Sequence, residues 1–312
     1  MKNSAKILAM HPDMHTLFPN KPDHWEFIGI GADVDQTIAE KGDGVEILLS
    51  ASIEKLDKEM LDCFPNLKMI ASISAGFSNI DLDICKARKI AVTNAPGMNS
   101  GDVADVAVTM MTSLLLKIPL NHDYIMSDSW VTKAGPLRHS LRGMPVGIVG
   151  LGSIGMEVVK RLEPFGVDIK WWGPRPKPEI TFPYVDSLGE LAEQCRSLIV
   201  CCRPDQSTYH LIDQEILNQL GSDGMLVNVS RGSVVDEPAL IAALKSGSIG
   251  GAGLDVFDPE PTNSSRWKDV PNVILSPHQG GSTYETLFAQ AQLVQDNIEN
   301  FLNEKPLLSS VL

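Results

Sequence analysis

At 312 residues the chain exceeds the usual single-domain size of about 100 to 150 residues, so two domains with separate cores are expected. Hydrophobic residues make up 43% and charged residues 21%, a globular balance that excludes a disordered or collagen-like chain. With 26 basic against 39 acidic side chains, the net charge of -13 repels a phosphate backbone; no basic stripe offsets it, so nucleic acid is not an expected partner.

No apolar run approaches the roughly 20 residues of a membrane helix, and the opening residues lack the apolar core of a signal peptide, so a cytosolic chain without membrane partner is expected. Cys63, Cys85, Cys195, Cys201 and Cys202 are odd in number, sit mostly among apolar residues and form no CxxC pair. They read as buried thiols, with neither a metal site nor a disulfide framework. Asn228-Val229-Ser230 and Asn263-Ser264-Ser265 match a glycosylation acceptor, which carries no meaning in a cytosolic chain.

Short apolar runs alternate with amphipathic segments along nearly the whole chain. The expected strands are Ile7 to Met10, Val45 to Ser50, Lys68 to Ser72 and Ile90 to Thr93, then Val146 to Gly150, Asp168 to Trp172, Leu198 to Cys202, Met225 to Val229, Gly251 to Val256 and Val273 to Leu275. Helical patterns lie between, as in Ser153 to Phe165, Asp213 to Leu220 and Glu237 to Lys245. Strands that are apolar throughout rather than alternately belong to parallel sheets covered on both faces, so the fold class is α/β with doubly wound sheets. Two longer helices, Ser100 to Lys117 and about Thr283 to Leu302, interrupt the alternation and read as bridges between domains. Residues 100–284 are then a dinucleotide-binding domain inserted into a smaller domain of residues 1–99 plus 285–312. Trp130 to Pro145, rich in Gly, Pro and Arg, reads as the connection into the second core.

After the strand at Val146, Gly150-Leu151-Gly152-Ser153-Ile154-Gly155 places GxGxxG at the opening of a helix. Gly150 permits a tight turn, Gly152 lets the main chain approach a pyrophosphate and Gly155 lets helix and strand pack closely. The amides of Ser153 and Ile154 then face the anion. Eighteen positions after Gly155, where an NAD-binding unit carries an acid for the ribose hydroxyls, stands Gly173, followed by Pro174, Arg175, Pro176 and Lys177. A guanidinium fork suits a 2′-phosphate and Lys177 adds a point charge, so NADP is expected in preference to NAD. Arg175 and Lys177 also fit the solvated ends of a proline-rich loop, but that reading leaves the missing acid unexplained.

Three later strands end in polar residues: Arg231 after Met225 to Val229, Glu260 after Gly251 to Val256, and His278 after Val273 to Leu275. Ligands of an open α/β sheet bind at the carboxyl ends of its strands, so these three can converge. An imidazolium at His278 could protonate the alkoxide left by hydride addition to a carbonyl. Glu260 would hold His278 and favour its charged form, and Arg231 could grip a carboxylate and polarise the carbonyl.

With these pieces the sequence resembles the D-isomer-specific 2-hydroxyacid dehydrogenase family over almost its full length. The resemblance rests on Val149 to Gly155, Val227 to Glu237 (VNVSRGSVVDE), Gly253 to Pro261 (GLDVFDPEP) and Ser276 to Glu285 (SPHQGGSTYE). It implies a Rossmann domain inserted into a flavodoxin-like substrate domain, a homodimer, Arg231 as substrate binder, Glu260 as tuner of the histidine and His278 as acid or base. It also implies that the loop with Ala75, Gly76 and Phe77 holds the substrate carboxylate through backbone amides. Asp255 would lie near the nicotinamide amide, and Cys202, Pro204, Thr208 and Val229 along the cofactor; packing explains these residues equally well. The missing acid at Gly173 is similar to the NADP-preferring branch of glyoxylate, hydroxypyruvate and hydroxyphenylpyruvate reductases. The expectation is an NADPH-dependent reductase of a small 2-oxo acid, giving the D-2-hydroxy acid in a cleft that closes between the domains. A dinucleotide-sensing, corepressor-like scaffold without turnover and a phosphite-type dehydrogenase are the alternatives.

Overall fold

The computed structural model describes residues 4–11, 13–28, 33–51, 54–135 and 137–312. The chain divides into two compact units, Met1–Asn99 with Ser282–Leu312, and Ser100–Gly281.

The first unit holds five parallel strands: β1 (Ala5–Ala9), β2 (Trp25–Ile28), β3 (Ile47–Ser50), β4 (Met69–Ser72) and β5 (Ala91–Thr93). Their order is β2-β1-β3-β4-β5, the flavodoxin-like arrangement. Helices α1 (Val34–Lys41), α2 (Lys58–Asp62) and α3 (Leu82–Arg88) connect them, and Asp57 and Asp81 cap the latter two through their carboxylates. Every residue of β3 and β4 is buried, because successive side chains feed opposite cores. Ile7, Ile47, Leu49 and Met69 enter one core; Leu8, Leu48, Ile70 and Val92 enter the other. Full burial of each such side chain is worth about 1.5–3 kcal/mol. β2 was not among the expected strands: Trp-Glu-Phe-Ile is a short sheet-edge strand anchored by one deep residue, Trp25, which is 1% exposed.

The second unit opens with α4 (Ser100–Leu115) and α5 (Ile118–Met126). The helix expected to run to Lys117 stops at Leu115. Lys117 takes a left-handed φ of 54°, and Pro119 sits in the first turn of α5, where its missing N–H costs nothing. Six parallel strands follow: β6 (Pro145–Val149), β7 (Asp168–Trp172), β8 (Ser197–Val200), β9 (Met225–Asn228), β10 (Gly251–Leu254) and β11 (Val273–Leu275). Helices α6 (Ser153–Leu162), α7 (Leu188–Gln194), α8 (Gln214–Leu220), α9 (Glu237–Ser246) and α10 (Ser264–Trp267) complete it. The order β7-β6-β8-β9-β10-β11 reverses direction at β6, so the loops leaving β6 and β8 part there and open a crevice. Separate apolar clusters cover the two faces, one built on Val149, Leu198, Leu226 and Leu254, the other on Val146, Ile148, Ile199 and Val227. Finally α11 (Tyr284–Leu302), capped by the Thr283 hydroxyl, packs Ala291, Val294 and Ile298 into the first unit, and an antiparallel bridge joins Ser310 to Thr93.

Candidate active site

The glycine-rich turn lies at the point where the second sheet reverses. A Cβ on Gly150 would fall 2.5 Å from the Cα of Cys202, in the loop after β8, and φ there is +92°, which favours glycine. A Cβ on Gly155 would fall 2.5 Å from the Gly150 carbonyl oxygen. Gly152 differs, because a Cβ there would meet nothing within 4 Å. Packing within the protein therefore does not require glycine at this position, whereas close approach of a pyrophosphate does. No side chain caps α6 at Gly152, so its first amides present the positive end of the helix to that space. The turn thus fits a dinucleotide, whose phosphates Gly152, Ser153 and Ile154 would hold.

The three strand ends do bring two of the predicted side chains into direct contact. Nδ1 of His278 lies 2.7 Å from Oε2 of Glu260. An ionised carboxylate only accepts, so Nδ1 carries the hydrogen and Nε2 is left to exchange a proton. The other Glu260 oxygen accepts from the Phe257 amide at 2.8 Å. Burial alone would raise the Glu260 carboxyl, but the bonds from His278 and Phe257 and the charges of His278 and Arg231 outweigh it and hold the group below its ordinary range. Burial draws the Arg231 guanidinium down, opposed by Glu260, and an arginine stays charged regardless. His278 itself stands at a left-handed φ of 54°, a conformation that non-glycine residues hold only when their surroundings impose it.

Those surroundings include Asp255, expected beside the nicotinamide amide, and two residues whose part in the site sequence reasoning passed over, Asn228 and Gly232. Asp255, 3% exposed, accepts from the amides of Gln279 at 3.0 Å and Gly280 at 2.8 Å, clamping the chain just after His278. Each of its oxygens keeps a second acceptor position, so this clamp is compatible with the expected place beside the nicotinamide amide. Asn228, read above as part of a glycosylation match, is 1% exposed; its side chain accepts from the Ser230 amide and donates to the Arg231 carbonyl at 2.9 Å. The Ser230 hydroxyl ties the same turn to the Cys202 carbonyl, and Arg231 bonds the Ser230 carbonyl at 2.7 Å. A Cβ on Gly232 would overlap the Phe257 carbonyl carbon at 1.9 Å, so the arginine loop and the glutamate loop touch backbone to backbone. The signal was an amide inside an otherwise apolar strand: a buried Asn must find partners.

The remaining expected residues are placed as follows. Pro174 and Arg175 are exposed, and Arg175 makes no ion pair with another described residue. The Lys177 ammonium donates to the Leu151 carbonyl within the glycine turn at 2.6 Å, which leaves it two free donors. Val229 is buried in the core, whereas Cys202, Pro204 and Thr208 are half-buried in the loop after β8. The Thr208 hydroxyl is spent on Arg203 and Asp205 backbone groups. Burial pushes the Cys202 thiol to about 11 and that of Cys195 to about 12, so both are neutral at pH 7; of the five thiols expected to be buried, Cys85 and Cys195 are, Cys201 and Cys202 are half-buried, and Cys63 is exposed. In the first unit Ala75, Gly76 and Phe77 are half-buried after β4, with the Ala75 carbonyl held by the Asn94 amide at 2.7 Å.

A reversing parallel sheet, a glycine turn shaped for a pyrophosphate and a Glu–His pair at neighbouring strand ends define a dinucleotide-dependent oxidoreductase. Residues 108–280 match the D-isomer specific 2-hydroxyacid dehydrogenase, NAD binding domain, and the chain belongs to that family. It is 36% identical over 275 residues to a hydroxyphenylpyruvate reductase of Plectranthus scutellarioides, covering 88% of each chain. It is 38% identical over 256 residues to glyoxylate/hydroxypyruvate reductase A of Arabidopsis thaliana, covering 82% of each. Its fold superposes on the NADPH-dependent glyoxylate/hydroxypyruvate reductase of Sinorhizobium meliloti, solved with NADP and malonate, at a TM-score of 0.87 and 34% identity, covering 99% of this chain and 97% of that one.

Proposed function

We propose that the chain reduces a small 2-oxo acid of the glyoxylate or hydroxypyruvate type to the D-2-hydroxy acid with NADPH, in the cytosol. The observation that carries this reading is the 2.7 Å contact between His278 Nδ1 and Glu260 Oε2, which frees Nε2 for a substrate oxygen. When bound, the reduced dinucleotide supplies the hydride to C2 of the oxo acid. Nε2 of His278 then gives its proton to the former carbonyl oxygen, a step worth about 10²–10⁴ in rate. Glu260 keeps the ring in one orientation, while Arg231 grips the carboxylate and polarises the carbonyl. The amides of Ala75, Gly76 and Phe77 are assigned to the substrate carboxylate on the family resemblance.

The preference for NADPH rests on Gly173 in place of an acid and on the exposed guanidinium of Arg175, which makes no ion pair with another described residue. The chain is further proposed to pair with a second copy. Ile125, Met126, Trp130 and Val131, along α5 and the turn after it, are 59%, 71%, 68% and 82% exposed, an apolar surface that a partner would cover. Light scattering on the purified protein checks this, and a monomer at micromolar concentration would refute it.

The deciding assay follows NADPH oxidation with glyoxylate, hydroxypyruvate, hydroxyphenylpyruvate and 2-ketogluconate. Turnover with at least one is expected, whereas tight NADPH binding without turnover on any would favour the sensing scaffold. NADPH formation from phosphite would favour the phosphite reading. Arg175→Glu should lower kcat/KM for NADPH by about 10- to 100-fold and leave NADH nearly unchanged, since a charge-assisted bond is replaced by repulsion. An unaltered NADPH to NADH ratio would remove the 2′-phosphate assignment.

A further inference from the structure

Glu237 is the first residue of α9, where an acid would ordinarily be explained by the helix dipole in water. Yet it is 3% exposed, and its carboxylate turns away from its own helix. Oε1 accepts from the backbone N–H of Asp258, in the loop that carries Glu260. Oε2 lies 2.8 Å from Nη2 of Arg266, at ion-pair distance though out of line for a hydrogen bond. The same Arg266 donates through Nη1 to the Asp258 carbonyl at 2.9 Å. One buried carboxylate and one guanidinium therefore hold both main-chain polar groups of Asp258, and α9 and α10 are pinned to the loop between them. One residue before that point the Phe257 amide is held by Glu260 itself, and two residues beyond it Glu260 turns to His278. A buried carboxylate is costly unless it is paired, so this one is difficult to account for as packing alone.

We infer that Glu237 and Arg266 are positioning residues which fix the Glu260 loop, so that the Glu260 carboxylate meets His278 Nδ1 in one orientation. The inference rests on the proposed roles of Glu260 and His278. The groups that bear on this cluster are Glu237, Asp258, Glu260, Arg266, Arg231 and His278. Loosening the loop leaves the His278 ring less firmly held, so the rate should fall while cofactor and substrate binding are kept.

The test is a double-mutant cycle on the full chain, with NADPH and whichever 2-oxo acid of the panel is turned over fastest. Glu237→Gln should lower kcat about tenfold, within the coupling range of neighbours in one polar network. NADPH affinity, read by fluorescence, and KM should change less than about twofold. In a Glu260→Gln background the same change should cost less than about twofold. Arg266→Gln, at the more exposed partner, should reproduce the pattern and serves if Glu237→Gln fails to fold. Equal losses in both backgrounds, or an equal loss of NADPH affinity, would overturn the inference while leaving the roles of Glu260 and His278 intact. If Glu260→Gln and His278→Ala themselves keep the full kcat, those roles fall and this inference falls with them.

Discussion

The two units share a strand order over five strands, β2-β1-β3-β4-β5 in one and β7-β6-β8-β9-β10 in the other, with β11 added at the edge of the second. Both are parallel, doubly covered sheets, yet they end their strands differently. In the second unit the loops after β6, β9, β10 and β11 carry a glycine turn, Arg231, Glu260 and His278, braced against each other by Asn228, Gly232 and Asp255. In the first, the loop after β4 offers mainly backbone, held by Asn94. A common scaffold does not by itself make a reactive site; what makes it is charged side chains at strand ends together with buried partners that fix them.

That contrast can be broken most directly at His278. His278→Ala should lower kcat by about 10²–10⁴ with NADPH binding kept, the magnitude of a lost proton donor. Steady-state rates and fluorescence titration would check it, and a loss under tenfold would place the proton elsewhere. Next comes Gly232→Ala, where a methyl group must displace the Phe257 carbonyl. A stability loss of about 1–3 kcal/mol is expected, together with loss of activity, and thermal unfolding would measure the first. In the first unit, Asn94→Ala strands the Ala75 carbonyl and should cost about 1 kcal/mol, raising substrate KM more than it lowers kcat.

The smallest expected effect is a pH dependence at Glu260. Its carboxyl is held below the ordinary range in the folded chain, so the stability it contributes is present above the unfolded value of roughly 4.3 and is lost as pH falls through the lower folded value. Melting curves of the chain and of Glu260→Gln should therefore converge in acid. A gap that widens in acid would mean the contact with His278 does not hold the carboxylate charged.

Most of the second unit was legible from local pattern alone, because apolar runs, GxGxxG and polar strand ends are set by residues close in sequence. Whatever depended on distant partners was not. Trp25–Ile28 is too short to announce itself as a strand and is fixed by the deep seat of Trp25. The helix expected to reach Lys117 stops at Leu115, and Pro119 serves as the beginning of another. Asn228 stood out only within a glycosylation match and Glu237 only as the start of a helical pattern, since nothing nearby in the chain says that both side chains turn inward. The contact of Glu260 with His278 was inferred from chemistry, and only coordinates could give which imidazole nitrogen it uses.

The bond from Lys177 to the Leu151 carbonyl bears on any attempt to retool the coenzyme preference. On the proposed reading, exchanging only the guanidinium at Arg175 alters one recognition element, while the ammonium goes on tethering the proline-rich segment to the glycine turn. A redesign toward NADH that also swaps Lys177 would cut that tether and loosen the grip on every dinucleotide, phosphorylated or not.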